Sequence, residues 1–254
     1  MTDSFSPLDR LDGQVAVITG GTGAIGAATA KRLAQLGARV VLLHRGMPEK
    51  SQDLLQSLAG QGHGALIASV TDSQQLTEAA QTVQRDYGGA QILINCAGHT
   101  TPVPAANLQA LTDELIDEMF VANWRGTFAA IRAFTPQLQA SEDGLIVNVS
   151  SIAGMTGLGS NLAYAAAKAG IDALTKGLAK TLAPRVRVLA VSPGVVDSGF
   201  VAGRDASFNA KTGATIPLQR VGTVDDVAAV ITACCTSFRY ATGSIFVADG
   251  GRHL

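Results

Sequence analysis

The chain has 254 residues, 47% of them hydrophobic and 15% charged, with 28 glycines; this suits one well-buried α/β domain with tight turns and excludes a disordered or fibrous chain. Lys and Arg number 19 against 20 for Asp and Glu, so no net field exists to hold nucleic acid or an anionic membrane surface. No stretch approaches about 18 uninterrupted apolar residues, and Met1 to Asp12 carries acids and Pro7 rather than a basic segment followed by an apolar run. The three cysteines, Cys96, Cys234 and Cys235, are odd in number and lack metal-ligand spacing. A cytoplasmic protein without a membrane span is expected.

Short β-branched runs alternate with amphipathic stretches along the chain. The pattern predicts a strand over Val15 to Thr19, a helix over Ala24 to Leu36 and a strand over Arg39 to His44. A strand over Ala65 to Val70, a helix over Ser73 to Tyr87, a strand over Gln91 to Asn95 and one long helix over Thr112 to Ala140 follow. Next come a strand over Leu145 to Ser150, a helix over Leu162 to Leu182, a strand over Arg187 to Val191, a helix over Val224 to Thr236 and a strand over Ser244 to Val247. Near-continuous apolar strands separated by helices indicate a Rossmann-like, doubly wound parallel sheet of about seven strands, order 3-2-1-4-5-6-7, with helices on both faces. Residues 1–12 read as an N-terminal extension and 13–254 as a single domain. Within it, residues 193–217, rich in Gly, Ser and Ala and weakly periodic, read as a mobile substrate lid.

After the first strand stands Thr19-Gly20-Gly21-Thr22-Gly23-Ala24-Ile25-Gly26, running into a helix. Gly21, Gly23 and Gly26 fit G-x-G-x-x-G, in which missing Cβ atoms let the backbone approach a pyrophosphate at the helix N-terminus, where free N–H groups favour negative charge. The end of the second strand commonly carries an acid that accepts hydrogen bonds from the adenosine ribose. Here it carries His44 and Arg45, which cannot replace a carboxylate but can neutralise a 2′-phosphate, so NADP(H) is favoured over NAD(H).

Tyr164 and Lys168 stand at i,i+4 in an alanine-rich helical stretch, with Cβ atoms about 6 Å apart on one face. A free phenol titrates near ~10, and an adjacent ammonium is expected to shift it toward useful values for acid/base work. Ser150-Ser151 ends an apolar strand and so lies at the carboxyl edge of the sheet, where ligands bind in open α/β folds.

With the glycine loop, Ser151, twelve intervening residues, Tyr164 and Lys168 in this order, nearly the whole chain resembles the classical short-chain dehydrogenase/reductase family. The resemblance implies that Thr19 to Gly26 is the cofactor loop, with Gly20, Thr22, Gly23, Ile25 and Gly26 at the pyrophosphate and Ala24 replacing a glycine. Ser69-Val70 stands where the family has Asp-Val beside adenine. Asn95-Cys96-Ala97-Gly98 resembles the N-N-A-G turn, Cys96 replacing an Asn, so Asn95, Ala97 and Gly98 border the adenosine half. Pro193-Gly194-Val195-Val196-Asp197-Ser198 resembles the segment that cups the nicotinamide, with Pro193, Gly194, Val196 and Ser198 in contact. Leu189 replaces a common Asn before it. Asn123 matches the family's catalytic Asn, whose implied role is to hold a water joining Lys168 to solvent. The implied mechanism is carbonyl–alcohol interconversion. Ser151 hydrogen-bonds the carbonyl, Tyr164 gives it a proton, and Lys168 holds the nicotinamide ribose and tunes the phenol.

The resemblance also implies a homo-oligomer, tetramer or dimer, and a small-molecule carbonyl or alcohol substrate. Ser151, Tyr164 and Met155 are expected to touch that substrate, and the small, largely uncharged residues of Met155 to Asn161 and Val195 to Pro217 disfavour a highly charged ligand. A 3-oxoacyl-thioester reductase and a non-catalytic dinucleotide sensor are the alternatives, the latter usually marked by a broken Ser, Tyr or Lys. An enoyl-thioester reductase would place the Lys six residues beyond the Tyr. His63, His99 and His253 form no ligand cluster, so no metal is expected. Cys234-Cys235 reads as core packing, and Asp225-Asp226 as the start of a helix.

Overall fold

The computed structural model describes residues 10–254, so most of the expected extension, residues 1–12, lies outside the described residues. The first half of the chain forms β1 (Val15–Thr19), α1 (Ala24–Gln35), β2 (Arg39–His44), α2 (Pro48–Gln56), β3 (Gly64–Ile67), α3 (Ser73–Tyr87) and β4 (Ile92–Asn95). The middle runs through α4 (Asp113–Phe120), a π-helical turn over Val121–Arg125, α5 (Gly126–Ala140), β5 (Gly144–Val149), α6 (Ala153–Thr156), α7 (Leu162–Leu182) and β6 (Val186–Pro193). The last elements are β7 (Val196–Asp197), α8 (Ala206–Gly213), β8 (Gly222–Thr223), α9 (Val224–Thr236) and β9 (Ile245–Ala248).

Seven strands form one sheet in the order β3-β2-β1-β4-β5-β6-β9, all neighbours parallel, while β7 and β8 pair separately. This is the expected order, with β9 as the seventh strand. Alternation along each strand divides the core into two layers. Ala16 and Ile18, Val40 and Leu42, Ile92 and Ile94, and Leu145 and Val147 face one layer, which α1 closes with Leu33 and α9 closes with Val227 and Ile231. Val15 and Val17, Val41 and Leu43, Leu93 and Ile146 face the other, closed by Leu76 and Val83 of α3 and by Ile131 and Phe134 of α5. Each such Val, Leu, Ile or Phe side chain contributes roughly 1.5–3 kcal/mol by leaving water, which is why strands buried on both faces carry almost no polar residues. Cys234 and Cys235 belong to the first layer, as expected of small hydrophobes.

The sequence of strands reverses direction across the sheet between β1 and β4, which opens a crevice at their carboxyl ends. Register places Thr19 beside Asn95, and Asn95 beside Asn148, so the ends of β1, β4 and β5 meet at one edge.

Several elements depart from the periodicity. The long helix expected over Thr112 to Ala140 is divided into α4 and α5 by the π-helical turn, which holds Asn123. β3 ends at Ile67 rather than Val70, although Ala68 still donates to His44 O. α2 and α8 stand where no helix is expected. Both are short and bury few residues, Ser51 and Leu54 in one and Gly213 in the other, so neither writes an apolar stripe.

Candidate active site

The loop after β1 is closed by Gly23 N donating to Gly20 O at 2.9 Å. A Cβ on Gly26 would stand 2.5 Å from that same oxygen, and Gly20, at φ +63°, would bring one to 2.8 Å from Ala97 Cα. The two turns at the carboxyl edge, Thr19–Gly26 and Asn95–Gly98, therefore touch through bare backbone, and Ala97 N donates to Thr19 Oγ1 at 3.2 Å. Ala24, the departure from the family pattern, is an exposed first residue of α1, so its methyl meets no crowding. Helix α1 begins at Gly23 with no side-chain cap and no acid in its first turn. By contrast α3, α7 and α9 are capped by Asp72, Asn161 and Thr223. The uncapped turn beside a glycine cradle fits the pyrophosphate of a dinucleotide.

His44 and Arg45, paired in the sequence reading, part company in the structure. His44 is buried, and its Nδ1 accepts from Gly46 N at 3.2 Å and Met47 N at 3.0 Å. Burial also lowers its pKa, so the ring is a neutral acceptor that shapes the β2–α2 turn rather than a cation for a phosphate. Arg45 is exposed at the same edge and is the cation left there. Ser69 Oγ shares a hydrogen bond with Thr71 Oγ1 at 2.9 Å, and Val70 packs where a Cβ on Gly126 would stand 2.9 Å away.

Asn95 Nδ2 donates to Asn148 Oδ1 at 2.9 Å, and Asn148 Nδ2 donates to Thr175 Oγ1 at 3.0 Å. This buried chain ties β4 to β5 and to α7, the helix that carries Tyr164 and Lys168. Asn161 caps α7 by accepting from Tyr164 N at 2.7 Å, which fixes the first turn and so the direction of the phenol. Ser151, two residues past β5, accepts from Ala153 N at 3.1 Å, and its hydroxyl acts on the Tyr164 phenol in the direction that favours ionisation. Lys168 Nζ donates to Val149 O at 2.8 Å and lies 5.6 Å from the centre of the Tyr164 ring.

Asn123 is fully buried, and its Nδ2 donates to Met119 O at 2.9 Å and His99 O at 3.0 Å. Among the described residues its Oδ1 is buried without a partner. A Cβ on Gly98 would stand 2.6 Å from Asn123 Oδ1 and 3.9 Å from Lys168 Nζ, so both atoms face one point beside the Asn95–Gly98 turn. Widened turns of this kind recur at functional sites because they re-aim one side chain without ending the helix.

Burial pushes the Tyr164 phenol up to about 12, opposed by the Ser151 hydrogen bond and the charge of Arg204. Burial pulls the Lys168 ammonium down to about 8, opposed by the Cys96 thiol and the Asp172 carboxylate. The expected lowering of the phenol by Lys168 is thus not the leading effect in the free protein. The ammonium is tied to Val149 O and lies 5.6 Å from the ring centre, and desolvation dominates both groups.

On the other side of the site Pro193 ends β6, and its carbonyl accepts from Ile152 N at 3.1 Å. Gly194 N donates to Ala248 O, and a Cβ there would stand 2.6 Å from Asp249 Cβ. Val196 belongs to the small β7–β8 pair, and Ser198 Oγ donates to Val196 O at 3.4 Å. Met155, on α6, is exposed. The segment read as a lid carries Phe200, whose ring lies 6.2 Å from that of Tyr164, and Arg204, whose guanidinium lies 4.9 Å over the Phe208 ring. Neither Phe200 nor Arg204 was singled out by the sequence, since the segment has no strong period.

Among the described residues no group of three His, Cys, Asp or Glu is placed to hold a metal ion, and no helix is long and apolar enough to cross a membrane. His63 accepts from Val40 N, His99 pairs with Glu118, and His253 pairs with Asp249, each in a different part of the fold.

A family model described as enoyl-(acyl carrier protein) reductase matches residues 21–253. The chain is 34% identical over 242 residues to carbonyl reductase family member 4 of Danio rerio, covering 95% of this chain and 98% of the relative. It is likewise 34% identical over 250 residues to the 3-oxoacyl-[acyl-carrier-protein] reductase FabG of Thermotoga maritima, covering 95% and 98%. A solved dehydrogenase/reductase from Sinorhizobium meliloti superposes with a TM-score of 0.87 at 30% identity, covering 97% of both chains. The chain belongs to the short-chain dehydrogenase/reductase family of oxidoreductases, whose members use nicotinamide dinucleotides.

Proposed function

We propose that the protein interconverts a ketone carbonyl and a secondary alcohol with NADP(H), Tyr164 serving as the general acid and base. The observation that carries this reading is the convergence of Ser151 Oγ, the Tyr164 phenol, Lys168 Nζ and the orphaned Asn123 Oδ1 beside the glycine cradle. Gly20, Thr22, Gly23, Ile25 and Gly26 would hold the pyrophosphate, and Ser69, Val70, Asn95, Ala97 and Gly98 the adenosine side. Lys168, Pro193, Gly194, Val196 and Ser198 would hold the nicotinamide side. The bound nicotinamide supplies or takes up the hydride at the substrate carbon.

In the reducing direction Ser151 Oγ donates a hydrogen bond to the carbonyl oxygen, and the Tyr164 hydroxyl transfers its proton to that oxygen as the carbon is reduced. Lys168 stabilises the phenolate so formed, and Asn123 Oδ1 accepts from a water through which the proton is restored. The intact Ser, Tyr and Lys weigh against a dinucleotide sensor. Three residues between Tyr164 and Lys168, rather than five, weigh against carbon–carbon double-bond reduction despite the description of the matching model. The name of the Thermotoga relative makes 3-oxoacyl thioesters the second carbonyl class to assay.

Carbonyl reduction needs the phenol protonated and alcohol oxidation needs it ionised. The reductive rate is therefore expected to fall, and the oxidative rate to rise, as pH increases through the phenol's titration in the complex. Parallel profiles in the two directions would contradict a single acid/base at Tyr164.

Arg45 is assigned the 2′-phosphate, without help from His44. Arg45→Ala is expected to weaken NADPH binding roughly 10- to 100-fold, the loss of a charge-assisted contact of about 1.5–3 kcal/mol, and to leave NADH binding nearly unchanged. Titration of both cofactors into both proteins checks this, and an equal loss for NADH and NADPH would remove Arg45 from the phosphate.

A further inference from the structure

Tyr164 is the third residue of α7, in the turn whose N–H groups have no partner within the helix. Its own N–H is taken by Asn161 Oδ1 at 2.7 Å, and Asn161 is buried. Other caps act locally: Asp72, Asp205 and Thr223 hold α3, α8 and α9 through bonds that span two or three residues. Asn161 instead reaches 60 residues back to Thr101 O, to which its Nδ2 donates at 2.8 Å, and it also donates to Thr100 Oγ1 at 3.3 Å. Both N–H donors of the carboxamide and its oxygen are thereby used, which fixes the side chain in one orientation. The segment it grips, His99 to Val103, follows directly on the Asn95–Gly98 turn and has no helix or strand of its own. Ser160 binds this segment as well, its carbonyl accepting from Val103 N at 2.7 Å and its hydroxyl sharing a hydrogen bond with Thr100 Oγ1. At the other end His99 O accepts from Asn123 Nδ2 at 3.0 Å. Two buried carboxamides thus donate to alternate carbonyls of one strap, at His99 and Thr101, and each turns its oxygen to the site. Asn161 Oδ1 meets Tyr164 N, and Asn123 Oδ1 faces the point it shares with Lys168 Nζ.

We propose that Asn161 is a positioning residue for the proton transfer: it ties the first turn of α7 to the strap beside the glycine cradle and so holds the Tyr164 hydroxyl in register with the cofactor. The proposal rests on the carbonyl–alcohol reading of the site. The acid sits in the turn most free to fray, whereas Lys168 lies a full turn deeper in the helix. The glycine loop already meets the Asn95–Gly98 turn through backbone, a Cβ on Gly20 standing 2.8 Å from Ala97 Cα. The bond from Asn161 to Thr101 O continues that contact to the residue bearing the phenol. Hydride and proton must reach the two atoms of one carbonyl group, and misplacing a reacting group by about 1 Å costs on the order of 100-fold in rate. Serine or aspartate at position 161 keeps an oxygen for the Tyr164 N–H. Neither reproduces the bond to Thr101 O, since the serine side chain is shorter and the carboxylate has no N–H to give. These two substitutions therefore remove the strap and spare the cap.

The test is a double-mutant cycle with Tyr164→Phe, read with NADPH and the carbonyl that the wild type reduces fastest among a set of ketones and 3-oxoacyl thioesters. Asn161→Ser and Asn161→Asp are expected to lower kcat roughly 10- to 100-fold. Their NADPH affinity and far-UV circular dichroism are expected to match the wild type. In the Tyr164→Phe background, which has no proton to position, the same substitutions are expected to cost about 3-fold or less. A residue that merely holds the fold would slow both backgrounds alike. Equal losses in the two backgrounds, or wild-type kcat in Asn161→Ser, overturn the proposal while leaving the carbonyl–alcohol reading standing. Variants that lose helical signal or NADPH affinity along with activity also overturn it, by assigning Asn161 to the fold alone. Turnover of no carbonyl by the wild type overturns the carbonyl–alcohol reading and the proposal with it.

Discussion

Tyr164→Phe is expected to fold, to bind NADPH with wild-type affinity, and to turn over carbonyl substrates roughly 100- to 10,000-fold more slowly. The ring keeps its place in the cluster with Met119, Ala153 and Ala163, and Asn161 still accepts from the backbone N–H of residue 164, so packing and cap survive. What disappears is the one hydroxyl that sits against Ser151 and can deliver a proton to a carbonyl oxygen. Ser151 remains to polarise that oxygen, which sets a floor of residual activity. Stopped-flow binding of NADPH together with steady-state rates separates the two effects. Near-normal turnover would remove Tyr164 from the chemistry, and lost cofactor binding would show that the substitution disturbs more than a proton.

Lys168→Met is expected to damage both binding and chemistry. The methionine stem fills the same buried volume, but the contact to the nicotinamide ribose and the charge that stabilises the phenolate are lost. Cofactor affinity should fall roughly 10- to 100-fold and turnover by a further two orders of magnitude or about that. Stability should move the other way. Lys168 is held at about 8 in the folded protein against an ordinary 10.5, so the unfolded chain binds the extra proton between those values. The wild-type protein is therefore expected to gain stability from this group as pH rises from about 8 toward 10, and to carry the full penalty below 8. Lys168→Met should flatten that rise and melt no lower than the wild type near neutral pH. A variant that melts lower there would mean that the bond to Val149 O outweighs the desolvation of the ammonium.

Much of this architecture is legible in the sequence for a physical reason. Strands buried on both faces, such as Val15–Thr19 and Arg39–His44, must be almost wholly apolar, and long helices such as Leu162–Leu182 must repeat their contacts every three or four residues. The strand order follows from the resemblance and from right-handed crossovers, and the positions of Ser151, Tyr164 and Lys168 follow from strand ends and helix periods. Periodicity is silent where geometry turns on a single side chain. Nothing in Val121–Arg125 announces an extra residue in the turn, because both α and π turns tolerate the same residue types. His44 reads as a cation until its ring is seen to accept two backbone N–H groups. The coupling of Lys168 to the phenol looks strong from an i,i+4 spacing, yet the bond to Val149 O governs where the ammonium points. Arg204 is more than 30 residues from Tyr164 in the chain, in a segment whose one helix buries only Gly213, so only the folded structure brings its charge to the phenol.

Tyr164 and its neighbours are proposed to move a proton while NADPH reduces a carbonyl carbon. The deciding experiment follows the wild-type protein's consumption of NADPH by nicotinamide absorbance, with a panel of ketones, oxo acids and 3-oxoacyl thioesters and with the alcohol product quantified. One carbonyl class is expected to drive NADPH oxidation with one alcohol formed per cofactor consumed, and NADP+ with the purified alcohol is expected to run the reaction backward. Tight dinucleotide binding with no turnover of any carbonyl or alcohol would contradict that role and make the protein a sensor built on an enzyme's fold.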